Sequence, residues 1–178
     1  MNGFFIQLLG FIAFLFIVIS VQKDKRSFTL ISQLIAGVFF TAHFILLGAW
    51  TGAAMNIIAI FRAYIFNLTE SKNYLNNKIV MYLFIILFWI GGLLTWEGYI
   101  SIFPSISLTL ECFALWSKKT RIIRWLLISS TPFWMTYHII VGSYAGIATE
   151  SFMGISILIA IIRFDVLKSR NNSTTKRQ

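Results

Sequence analysis

Apolar residues run through this chain in blocks that alternate with short polar clusters. A helix that crosses a bilayer needs about 20 mainly apolar residues. Seven blocks approach or meet that length, at 3–21, 28–48, 52–68, 79–96, 99–116, 122–141 and 145–165. The polar breaks fall at 22–27, 49–51, 67–78, 97–98, 117–121 and 142–144. The breaks at 49–51 and 142–144 are so short that the helices they join must be tight antiparallel neighbours. The pattern predicts an all-α integral membrane protein with seven transmembrane helices, one membrane domain over 1–178 that ends in a polar tail at 167–178.

Composition leads to the same class. Of 178 residues 58% are apolar and only 12% charged, against about 25% charged in a soluble domain. Mean hydropathy is +0.80, so most of the chain must be solvated by lipid. Disorder is excluded, because disordered chains are poor in apolar and aromatic residues. The net charge of +9 fits either a nucleic-acid binder or a membrane protein, and the placement of the charges decides. Every Lys and Arg except Arg62 and Arg163 lies in or beside the first, third and fifth breaks or in the tail. Cytoplasmic loops are the ones enriched in Lys and Arg. The chain therefore reads as N-terminus outside and C-terminus cytoplasmic, with the lipid bilayer as its partner and no nucleic acid.

The first apolar block is not a cleavable signal peptide, because no basic residue precedes it and its positive flank lies on the C-terminal side. The glycosylation acceptor patterns at Asn67 and Asn172 fall on the cytoplasmic side and read as chance. Cys112, a single cysteine, cannot form an intrachain disulfide.

Sliding the chain by 94 positions lays one half on the other. Phe39 falls on Phe133, Phe40 on Trp134, Ile45 on Ile139, Gly48 on Gly142, Trp50 on Tyr144, Gly52 on Gly146 and Ala54 on Ala148. The alignment predicts two three-helix repeats, 1–68 and 99–166, joined by a linker helix at 79–96. One inserted helix gives both copies the same orientation, so the repeats are parallel. Gly48-x-x-x-Gly52 straddles the short break and reads as a reverse turn rather than a helix-packing motif.

Polar residues inside the spans are few, and such residues are usually functional or paired. The 94-residue offset places Asn56 on Glu150, at matching depth in the third and seventh helices. The pair either faces a central cavity or satisfies backbone groups near the outer surface. His43 falls on Tyr137 with His138 beside it. The two histidines read as substrate-pocket candidates with Asn56 and Glu150, or as hydrogen-bonded structural residues; no His-Glu-x-x-His pattern marks a metal site. Nearer the cytoplasm, Gln33, Arg62, Glu111 and Arg163 are inner-gate or ion-pair candidates. Arg62 and Glu111 reach similar depth and either pair or, for Arg62, snorkel to the interface. Arg163 by itself reads as an interfacial anchor. Pro104 and Pro132 remove backbone donors in the fifth and sixth spans and are candidate hinges or static kinks.

No P-loop, GxSxG, zincin or Cys-x-x-Cys motif is present, so no enzyme class with a local signature is indicated. Neither a cofactor nor a metal is implied. The leading expectation is a carrier for a small polar solute, working by alternating access. The alternatives are a non-transporting interaction or assembly protein and a membrane enzyme built on His43, His138 and Glu150. The aromatic outward surface of the fourth helix would suit a homo-oligomer.

In its 3+1+3 arrangement the chain resembles the SWEET/PQ-loop superfamily, whose members carry sugars or amino acids. It departs from that pattern in having no Pro-Gln dipeptide and only two intramembrane prolines. In detail it is more similar to the YgjV-type bacterial inner-membrane proteins. The resemblance rests on the stretch 42–48 (Ala-His-Phe-Ile-Leu-Leu-Gly), Arg62, Gly142 with Ser143, Glu150, and the closing Ile162, Arg163 and Phe164. It implies a multi-pass protein of the inner membrane and singles out His43, Gly48, Arg62, Glu150 and Arg163.

Overall fold

A computed structural model describes residues 3–20, 26–71 and 77–167. The basic residues Lys23, Lys25 and Lys72, the tail 168–178 and the acceptor pattern at Asn172 lie outside the described residues.

The helices are α1 (Gly3–Ser20), α2 (Arg26–Leu47), α3 (Trp50–Ser71), α4 (Lys78–Leu94), α5 (Ile102–Trp116), α6 (Thr120–Val141) and α7 (Tyr144–Ile161). A 3₁₀ turn, Tyr99–Ser101, leads into α5, and a π-helical turn, Ile162–Leu167, continues α7. No strand occurs among the described residues. Each helix coincides with one apolar block to within a few residues. Three stretches are long and apolar enough to cross a membrane: Gly3–Ser20, Tyr99–Trp116 and Tyr144–Val166. Apolar stretches of α2, α3 and α4 are shorter, at Ile31–Leu47, Trp50–Phe66 and Lys78–Leu94. Helix α6 carries Arg121, Arg124 and five Ser and Thr residues, which lower its hydropathy.

Two of the turns are alike. Gly48 and Gly142 adopt left-handed backbone, with φ of 73° and 72°, and each closes its helix by the same pair of bonds. The amide of Ala49 donates to Phe44 O (2.9 Å) and that of Gly48 to Ile45 O (3.1 Å). Ser143 donates to His138 O (2.9 Å) and Gly142 to Ile139 O (3.4 Å). This is the Schellman arrangement, for which glycine is favoured because it lacks the Cβ that strains left-handed backbone.

In the helix packing, α1 lies on α2, α2 on α3, α5 on α6 and α6 on α7, while α3 meets α5 and α1 meets α7. The six helices form a ring, and α4 packs on α3 and α5. Small residues allow the close approach: a Cβ on Gly92 of α4 would meet Ser105 Oγ at 2.7 Å, and one on Gly10 of α1 would meet Ala145 Cβ at 2.6 Å.

Polar and apolar residues are distributed in reverse of a water-soluble fold. The buried set includes Ser20, Ser32, His43, Thr51, Arg62, Ser101, Ser105, Ser107, Ser130, His138, Ser143 and Thr149, while Phe4, Phe11, Leu15, Val38, Phe61, Leu83, Leu87, Ile155 and Ile159 face outward. Hydroxyls bond backbone carbonyls, within helices (Thr149 to Ala145 O, 2.9 Å) and between them (Ser107 on α5 to Ser130 O on α6, 3.0 Å). Internal pairing of this kind is needed where no water can do it.

The two prolines differ in setting. Pro104 lies in the first turn of α5 rather than in mid-helix. There the missing N–H costs no helical bond and calls for no kink. Pro132 lies inside α6. Hydroxyls of Ser129, Ser130 and Thr131 bond the carbonyls of Trp125 and Leu127 ahead of it, and Thr136 bonds the carbonyl of Pro132 itself, a local adjustment typical of membrane helices that contain proline.

Candidate functional site

All six ring helices contribute to one central cavity of about 250 Å³. Its wall holds Ile17 from α1, Phe40 and Phe44 from α2, Asn56 and Ala59 from α3, Leu108 and Glu111 from α5, Trp134 and His138 from α6, and Thr149, Glu150 and Met153 from α7. A second cavity of about 500 Å³ adjoins it and shares Ile17, Phe40, Asn56, Ala59 and Glu111; Gln33, Arg62 and Tyr64 are among its other lining residues.

Asn56 and Glu150, the pair matched by the 94-residue offset, both line the central cavity. Asn56 donates both amide hydrogens to α2, to Gly37 O (2.7 Å) and Thr41 Oγ1 (2.9 Å). Glu150 has no hydrogen-bond or ion-pair partner among the described residues. Its carboxylate is the one acidic group on the wall left without a countercharge.

Glu111 is held from two sides. Arg62 Nη2 donates to its Oε2 at 2.8 Å, and Trp134 Nε1 to its Oε1 at 3.0 Å. Arg62, whose side chain is 6% exposed, also reaches toward Leu108 O (3.5 Å) and Cys112 Sγ (3.7 Å) and lies 5.4 Å from the Phe88 ring centre. Its Nε has no partner. The pairing keeps both charges inside the bundle, so Arg62 does not snorkel.

The histidines take different places. His138 lines the central cavity, its ring near parallel to those of Phe44 (5.7 Å, 4°) and Trp134 (5.3 Å, 15°), whose own centres lie 6.5 Å apart. His43 lines neither cavity. Its Nδ1 lies 2.7 Å from Ile6 O and its Nε2 2.8 Å from Ser143 Oγ. A carbonyl only accepts, so Nδ1 carries the proton and, in the neutral ring, Nε2 accepts from the serine. His43 thus ties α2 to α1 and to the start of α7. Arg163 sits exposed in the π-helical turn, 5.2 Å from the Phe164 ring centre, and lines neither cavity. Among the described residues no group of three or more His, Cys, Asp or Glu is placed to hold a metal ion.

Several contacts that tie the helices together had no sequence signal of their own. Glu97 follows α4, and its carboxylate accepts the first amides of α3, Trp50 N (2.8 Å) and Thr51 N (3.0 Å). It also accepts from the Tyr137 hydroxyl (3.4 Å), which in turn accepts from Gly52 N (2.7 Å). Thr51 completes this cluster by bonding Thr95 O and Ser101 Oγ. On the other side Gln7 serves the start of α7, accepting from Tyr144 N (3.2 Å) and donating to Gly142 O (2.8 Å). These two clusters, with the rings of Phe44, Trp134, Tyr137 and His138, bind the helices together at the glycine-turn end. At the other end Asp165 takes two bonds from Arg124, which fastens the π-helical turn to α6.

Helices whose outward faces are apolar, packed around a small cavity with polar residues in its wall, define a helical membrane protein. The chain belongs to a family of bacterial inner membrane proteins, Imp-YgjV, whose sequence model matches residues 4–168. It is a protein of the bacterial inner membrane. No curated protein and no solved structure matches it.

Proposed function

We propose that the protein carries a small polar solute across the inner membrane by alternating access, without catalysing a reaction. The supporting observation is the unpartnered Glu150 carboxylate on the wall of a cavity built by six helices. A carboxylate so placed is expensive inside a membrane and is retained where it serves a ligand or an ion. The assembly-protein alternative would fill the centre with Phe and Ile, and a cavity of about 250 Å³ speaks against it.

In this reading all seven helices span, the N-terminus is outside, and spans one to three and five to seven are parallel repeats with α4 as linker. Three pairings support the repeats. The contacts of α3 with α5 and of α7 with α1 exchange under the 94-residue offset. So do the two glycine turns. His43, which joins the ends of α1 and α7, corresponds to Tyr137, which joins Glu97, just ahead of the 3₁₀ turn that leads into α5, to the start of α3. Rocking one repeat against the other would open the glycine-turn end by breaking the Glu97 and Gln7 clusters.

The test is the melting temperature of the purified protein against sugars, amino acids, nucleosides, organic ions and divalent metals. A ligand present at 100 times its Kd stabilises the folded state by about 2.7 kcal/mol. A saturable shift from one class is expected. Shifts from none of them, at concentrations up to tens of millimolar, would overturn the carrier reading.

A further inference from the structure

The composition of the cavity wall points to the kind of solute. We infer that it is an organic ammonium ion, a positively charged nitrogen on a small apolar body, an inference that rests on reading the cavity as a solute site. Charge is the first argument. Arg62 neutralises Glu111 at 2.8 Å, no Lys or Arg lines the central cavity, and Glu150 is left as the uncompensated charge. A carboxylate drawn away from bulk water is stabilised by a proton or a cation, and in its charged form it would repel an anionic solute.

Wall chemistry is the second argument. Phe40, Phe44 and Trp134 present aromatic surface to the same space as Glu150. Aromatic rings attract an ammonium group through their negative faces and pack against its carbon substituents. The wall offers a sugar few donors, because both Asn56 amide hydrogens are committed to Gly37 and Thr41 and the Thr149 hydroxyl to Ala145, which leaves the His138 ring.

The test is equilibrium binding to the full chain in detergent, with choline and ethylammonium as probes, sodium chloride as the inorganic cation and 3,3-dimethylbutan-1-ol as the uncharged counterpart of choline. At least one ammonium probe is expected to bind saturably, with neither sodium nor the alcohol competing. Glu150→Gln should weaken that binding roughly tenfold or more, about 1.4 kcal/mol, while Glu150→Asp retains most of it. Trp134→Leu should weaken it with Glu150 intact. Gel filtration and melting of each variant identify any that fails to fold, and the Asp variant decides if the Gln variant does. Equal binding of the alcohol, binding of sodium alone, no ammonium binding, or unchanged affinity in a folded Glu150→Gln protein would each overturn the inference. The carrier reading fails separately, if an ammonium ion binds but no protein-dependent uptake into liposomes follows.

Discussion

Arg62 and Glu111 meet at 2.8 Å where the two cavities adjoin, and Trp134 holds the other carboxylate oxygen at 3.0 Å. The contact joins α3, α5 and α6 in one polar chain inside an apolar bundle. Breaking such a pair from one side leaves a buried charge uncompensated, at a cost of about 3–5 kcal/mol. Arg62→Leu and Glu111→Leu should therefore each destabilise severely alone, and the double variant should recover much of the loss. Thermal unfolding of the two single variants and the double variant measures the coupling; additive losses would mean that the pair is not coupled.

Gly146 and Gly48 are both glycines near a turn but differ in what an added methyl meets. At Gly146 it would fall on the His138 ring, which is itself packed against Phe44, Trp134 and Tyr137. Gly146→Ala should cost about 1–3 kcal/mol through overpacking. At Gly48 nothing lies within 4 Å, and only the left-handed backbone resists, at φ 73°. Gly48→Ala should cost about 1–2 kcal/mol. The melting temperatures of the two variants check these values. Relief of the Gly146→Ala loss by His138→Ala, with no such relief for Gly48→Ala, would confirm the different causes.

Glu97 caps a helix to which it does not belong. Removing a helix N-cap costs about 0.5–2 kcal/mol, so Glu97→Ala should lower stability by that amount and loosen the start of α3. Amide exchange at Trp50, Thr51 and Gly52 reads the loosening directly. Unchanged protection at these amides would show that the carboxylate contributes nothing.

The charge pattern carries its own prediction. In the proposed topology, which puts Lys118, Lys119 and Arg121 on the cytoplasmic side, a fluorescent protein fused after Gln178 should fold and glow in cells, whereas alkaline phosphatase fused there should be inactive. Active phosphatase at that position would invert the proposed topology.

Much of the architecture was legible because membrane solvation writes itself locally. Apolar blocks gave the helices to within a few residues, and Gly48 and Gly142 gave the turns. The same internal match paired Asn56 with Glu150, and both line the central cavity. What escaped were contacts whose partners lie far apart in the chain. Glu97 was a polar break and became the cap of α3; Gln7 serves a helix that starts more than 130 residues later. The offset held a clue, since it set Tyr137 against His43 and so could have suggested that Tyr137 is also a cross-link. Pro104 looked internal only because the apolar block runs through the 3₁₀ turn that precedes α5.

Passage of a solute through the cavity that Glu150 lines can be followed as uptake into proteoliposomes of a labelled solute that raises the melting temperature. The expected result is saturable, protein-dependent uptake that falls at least roughly tenfold in Glu150→Gln, with the variant still folded and correctly inserted. Uptake no faster than in protein-free liposomes, or undiminished uptake by the variant, would contradict it.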